Sequence, residues 1–136
     1  MLESSMTMKI MSNPALTAQI SKGRQVGCQP STVVQLLNCV YGEDLVDASE
    51  VKDINVAVKD EAIKYGSVED VVIPVPPKDG SFTPGVGKIF VEFKDVTSAR
   101  KFQAEINGRR WDQRTCCAAF YPLDRLKSKK YTLMDN

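Results

Sequence analysis

Three groups of side chains in this sequence could do chemistry. The first is four cysteines, at positions 28, 39, 116 and 117. No pair has C-x-x-C spacing, and adjacent Cys116 and Cys117 would point to opposite faces of a strand. They read as free thiols in a reducing compartment. The second group is acidic. Between residues 43 and 61 stand Glu43, Asp44, Asp47, Glu50, Asp53, Asp60 and Glu61 against only Lys52 and Lys59, a net charge of −5. The third is Arg109-Arg110-Trp111-Asp112-Gln113-Arg114, with three arginines and the chain's only tryptophan. The sequence contains no histidine, which excludes histidine triads, histidine metal sites and a histidine pH switch. No metal and no cofactor is expected. The chemistry left is recognition. An acidic stretch attracts a basic peptide and repels nucleic acid, and a Trp beside Arg on a loop has the profile of a binding hot spot. Each feature also has a plainer reading: a solvated helix face for the acids, and for Trp111 a place at the edge of its own core.

These groups need elements to position them. The 136 residues suit one domain. Lys and Arg number 18 and Asp and Glu 17, so the near-zero balance rules out a wholesale polyanion binder. No apolar run approaches the ~18 residues of a membrane span, and the opening MLESSMTMKIM lacks the apolar core of a signal peptide. Residues 1–30 read as a flexible N-terminal arm with a short helical turn near Ala15–Ile20. Residues 31–131 read as the domain, and 132–136 as a tail. Thr32–Val40 predicts a buried strand. Asp47 with Glu50 resembles a capping box, opening a helix from Ala48 to Tyr65 that Gly66 stops. Val68–Val75 predicts a second strand, Lys88–Phe93 a third, and Thr115–Tyr121 a fourth. Asp95 caps a second helix whose buried face is Val96, Ala99, Phe102 and Ile106. Leu123–Tyr131 is a basic segment with a short helix.

The order β-α-β-β-α-β defines an α+β class, the ferredoxin-like sandwich of the RNA-recognition motif (RRM), here with a C-terminal helical extension. An RRM stacks bases on aromatics of its two central strands. Its third-strand signature aligns with Val86–Phe93, and Phe90-Val91-x-Phe93 fits it. Lys88 replaces the first stacking aromatic, and Gln35 occupies the usual aromatic position of the first strand. Only Phe90 remains as a platform, and Phe93 belongs to the core. Each base stack contributes roughly 1–3 kcal/mol, so two losses remove most single-strand affinity.

On a helical projection, Glu50, Asp53, Ala57, Asp60 and Glu61 share a rim beside the stripe Ile54, Val58, Ala62 and Tyr65. Four stretches carry a family resemblance: Asp60-Glu61-x-x-Lys64-Tyr65-Gly66, Ile73-Pro74, Pro84–Phe93 and Asn107-Gly108-Arg109-Arg110-Trp111. From about Thr32 to Tyr131 the chain resembles the U2AF-homology motif (UHM) family, the protein-binding variant of the RRM in pre-mRNA splicing factors, and within it the large-subunit type. The resemblance implies a nuclear domain that binds linear motifs in which basic residues precede a Trp, carried by other splicing-factor proteins. The ligand Trp enters between the first helix and an Arg-x-Phe loop. The family's Arg corresponds to Arg109 and its Phe to Trp111; its helix acids correspond to Asp53 and Glu61. Two departures stand out. Trp111 replaces Phe, and Ala57 replaces the middle acid, which weakens the pull on a basic ligand arm. Glu61 is open to an ion pair with Arg109 that would fix the loop.

Two other functions compete. Nine bases against three acids between Arg100 and Lys130 favour a single-stranded RNA-binding domain, although the last segment could lie across the sheet and block it. A small ferredoxin-like enzyme is the weaker alternative. The Gly80–Gly87 loop lacks phosphate-loop spacing, and no Ser, Cys or carboxylate has a visible base. The expected partners are Trp-bearing basic peptides, with weak or no RNA at the sheet and no membrane. The expected state is a monomer or weak homodimer.

Overall fold

A computed structural model describes residues 27–40, 45–79, 85–111 and 114–133; for Trp111 it describes the backbone only. The arm up to residue 26, with its expected turn near Ala15–Ile20, lies outside the described residues.

Strand β1 (Val33–Leu37) is central because both its neighbours pair with it. The four-stranded sheet has the order β2-β3-β1-β6, with β2 at Val68–Val72, β3 at Ile89–Phe93 and β6 at Cys117–Tyr121. All pairings are antiparallel, and Val34 faces both Val91 and Phe120. The two-residue period divides the side chains. Val34, Leu36, Ile89, Val91 and Phe93 join a core with helices α1 (Ala48–Ala62) and α2 (Val96–Ile106). Val33 and Phe90 point to the opposite face. The expected order of four main strands and two helices is present, and the fold is the RRM-like sandwich.

Several boundaries differ from the sequence expectation. β1 stops at Leu37 because Asn38 is left-handed (φ 68°), a conformation Asn tolerates, and its side-chain Nδ2 donates to the Thr115 carbonyl at 3.0 Å. α1 is capped by Asp47, whose carboxylate accepts from the Ser49 amide at 2.9 Å. It ends at Ala62 rather than Tyr65, which turns inward to meet Phe102 edge-on at 5.7 Å. Gly66 is therefore a site of close approach rather than the stop itself: a Cβ there would overlap Ser98 Oγ and Cβ. β2 ends at Val72, ahead of Pro74, Pro76 and Pro77.

In α2 the expected face needs one correction. Val96 is 38% exposed, while Ser98 is buried, its hydroxyl and amide both donating to the Asp95 cap. At the first turn, capping rather than burial dictates which side chain points inward. The expected fourth strand is split. Arg114–Thr115 is a short β5 that pairs with β4 (Arg110–Trp111) as a separate hairpin. The main-sheet strand starts only at Cys117.

The largest correction concerns the cysteines. Cys39 and Cys116 form a disulfide, with Cα atoms 5.3 Å apart. The end of β1 and the start of β6 are neighbours in space across 77 residues of sequence. Cys28 and Cys117 are free and exposed, so Cys116 and Cys117 do face opposite ways.

Candidate functional site

Between the rim of α1 and the connection after α2 lies a cavity of about 180 Å³. Ala57, Glu61, Ile106, Arg109, Arg110 and Cys116 line it. Small-molecule sites usually span about 300–1,000 Å³, so this one suits a single large side chain. Ala57, Ile106 and Cys116 supply apolar walls, while Glu61, Arg109 and Arg110 place charge around them.

The cavity's position follows from the helices. Val58 and Ala62 bury the inner stripe of α1, which leaves Ala57 and Glu61 at the rim. Ile106 is the last residue of α2 and is 2% exposed. The chain then reverses through Asn107 and Gly108, the latter at φ 86°, where a Cβ-bearing residue is strained. Asn107 holds the reversal by accepting from the Ala118 amide at 3.0 Å. Gly108 N donates to Cys116 O and Cys116 N to Arg109 O, both at 2.8 Å, which fixes the backbone of the Arg109 segment.

The side chain of Arg109 is fixed as well. Its Nη1 lies 2.7 Å from Glu61 Oε1, and Nη2 reaches Tyr65 Oη at 3.4 Å and Glu105 Oε2 at 3.5 Å. Glu61 also accepts from Lys64 Nζ at 2.8 Å and from the Tyr65 hydroxyl at 3.3 Å. The Lys64 hydrogen bond, followed by that of Arg109, holds the Glu61 carboxyl below the usual glutamate range. The Glu61–Arg109 pair foreseen from the sequence is therefore present, and it leaves Glu61 largely committed within the domain. Glu50, Asp53 and Asp60 are exposed along the same helix. Asp53 stands one turn before Ala57. The wall role assigned to the Trp111 side chain lies outside the described residues; its backbone pairs with Arg114.

The opposite sheet face differs from the surface expected for RNA. Helix α3 (Leu123–Lys127) and the residues up to 133 cross it. Leu123, Leu126, Tyr131 and Leu133 pack with Val33, Phe90 and Tyr121. Phe90 is 0% exposed, with Tyr121 and Tyr131 rings at 4.8 and 5.6 Å. Gln35 is buried and donates to Phe120 O at 3.4 Å. Lys88 donates to Tyr131 O at 3.1 Å, and burial lowers its pKa. Of the three residues expected as a residual RNA surface, Phe90 and Gln35 are thus covered and Lys88 is half-buried. Glu92, also on this face, is 7% exposed and paired with Lys127 at 2.8 Å. Single-residue periodicity carries no signal for this cover, because its contacts come from a five-residue helix and an irregular strap.

No family model matches the chain. Its fold is that of the solved RRM of RNA15, with a TM-score of 0.51 at 20% identity over 73% of this chain and 99% of that one. Within that class, curated relatives share more sequence. The B form of the splicing factor U2af large subunit from Oryza sativa subsp. japonica is 39% identical over 107 residues, which is 79% of this chain and 20% of the relative. Its Arabidopsis thaliana counterpart is 36% identical over 107 residues. The U2AF 59 kDa subunit of Schizosaccharomyces pombe is 33% identical over 102 residues. The chain spans about a fifth of the length of these relatives. The domain therefore has the RRM fold and is similar in sequence to a part of the U2AF large subunits.

Proposed function

We propose that this domain binds short linear peptides in which basic residues precede a tryptophan, presented by other pre-mRNA splicing factors in the nucleus. The observation that carries the reading is the side-chain-sized cavity beside a locked Arg109, bordered by Ala57 and Glu61 on an acidic helix. A ligand indole buried there, against the aliphatic part of Arg109, supplies most of the contact area. Aromatic side chains typically bury about 150–250 Å² each. Glu50, Asp53 and Asp60 attract the basic arm and act on association rate and specificity more than on affinity. With Ala57 in the middle and Glu61 engaged by Lys64 and Arg109, Asp53 carries the larger share of that attraction. Such an interface works by recognition alone, with micromolar to sub-micromolar affinity and a clear salt dependence.

The test is a paired titration of the intact chain. A Trp-bearing basic peptide should bind, and oligo-uridine should bind weakly or not at all. Asp53→Lys and Trp111→Ala should each weaken the peptide while leaving the fold intact by circular dichroism. If both substitutions leave peptide binding unchanged, the pocket assignment is wrong.

A further inference from the structure

The disulfide is the feature that peptide recognition does not itself require. Cys116 is 1% exposed, lines the cavity and is joined to Cys39 at the end of β1. Through its backbone it also holds the Arg109 segment, donating to Arg109 O and accepting from Gly108 N. On the other side of the β4–β5 hairpin, Arg114 Nη1 donates to Cys39 O at 3.2 Å. The 39–116 bond therefore ties the rigid sheet to both arms of the segment that forms the cavity mouth.

We propose that this pair is a redox latch on the peptide site: the disulfide holds the cavity in its binding shape, and the dithiol relaxes it. This rests on the peptide-binding reading given above. Reduction replaces one covalent bond by two non-bonded thiols, which need more room than the bonded pair inside a close-packed wall. Cys116 meets the cavity on one side and the core on the other, so the displacement is taken up by the cavity or by residues 108 and 109.

The exchange balances with a low-molecular-weight disulfide such as oxidised glutathione. The Cys39 thiolate, the more exposed of the two at 7%, attacks it and releases one thiol. The Cys116 thiolate then attacks Cys39 Sγ of the mixed disulfide and releases the second. Two electrons pass from the protein pair to the small disulfide, and the two protons end on the released thiols. Cys28 and Cys117 are exposed and stand outside the pair.

The experiment uses the full chain carrying Cys28→Ser and Cys117→Ser, which removes the exposed thiols. Oxidised and reduced forms are titrated with the Trp-bearing basic peptide, and amide hydrogen exchange is read at Gly108 and Cys116. The oxidised form should bind about three- to tenfold more tightly, as preorganisation predicts, with slower exchange at both amides. Cys39→Ser should bind like the reduced form and lose its response to oxidant. Equal affinity and equal exchange in the two forms would overturn the latch. Absence of peptide binding in both forms, with exchange still redox-dependent, would overturn the peptide reading and leave the latch standing. Two titratable thiols in the denatured, untreated protein would show that no disulfide forms and would also overturn it.

Discussion

Glu61 is the acceptor on which the site turns. Its two oxygens serve Lys64, Arg109 and the Tyr65 hydroxyl, so its charge sets the loop rather than meeting a ligand directly. Because the folded pKa is lowered, the stabilisation is fully present above the ordinary glutamate value of about 4.3 and is lost as pH falls through the lower folded value. Exchange at the Gly108 amide should therefore accelerate on acidification below that range, over and above its intrinsic pH dependence. Glu61→Gln should flatten this response and cost about 0.5–1 kcal/mol of stability, since the pair is partly solvated. A pH response unchanged by Glu61→Gln would assign loop order to another group. At this scale the sequence is partly informative. The rim position of Glu61 follows from helical spacing, whereas its pairing with Arg109, 48 residues away, is suggested only by the family resemblance. The sharing of Glu61 with Lys64 and Tyr65 depends on rotamers that spacing does not encode.

Among the elements, α1 and α2 are legible in the sequence because their apolar periods and Asp caps agree with one another. The β4–β5 hairpin is not, since two-residue strands have no measurable alternation and Asp112-Gln113 lacks the Gly of a common tight turn. Gly66 and α3 lead to predictions of their own. Gly66→Ala forces a Cβ into Ser98 and should destabilise the domain by about 1–3 kcal/mol in urea titrations, in the range of overpacking. Ser98→Gly in that background should recover part of the loss by opening space, and no recovery would locate the strain elsewhere. Leu126, 5% exposed on the inner face of α3, anchors the sheet cover. Leu126→Ala should cost about 2–4 kcal/mol and raise the fluorescence of an apolar dye as Phe90 and Tyr121 become accessible. If the dye signal stays flat, the cover does not rely on that anchor.

For the whole molecule, a net charge of +1 conceals an acidic first helix and a basic C-terminal third. These meet at the Glu61–Arg109 pair. The remaining acids face outward from α1, and the opposite sheet face is closed by the strap with Glu92 beneath it. Charge and exposed shape thus both favour a basic peptide over a polyanion. The disulfide closes a long loop and should stabilise the chain by about 2–4 kcal/mol, read as a drop in urea midpoint on reduction. An unchanged midpoint would mean that the pair contributes nothing to stability. The sequence alone points to free cysteines because 77 residues separate partners that only the sheet order brings together. The most direct test of the central claim is the paired titration. Peptide binding that weakens with Asp53→Lys, Trp111→Ala and added salt, with oligo-uridine at background, is the predicted result; tight oligo-uridine binding without peptide binding would contradict it.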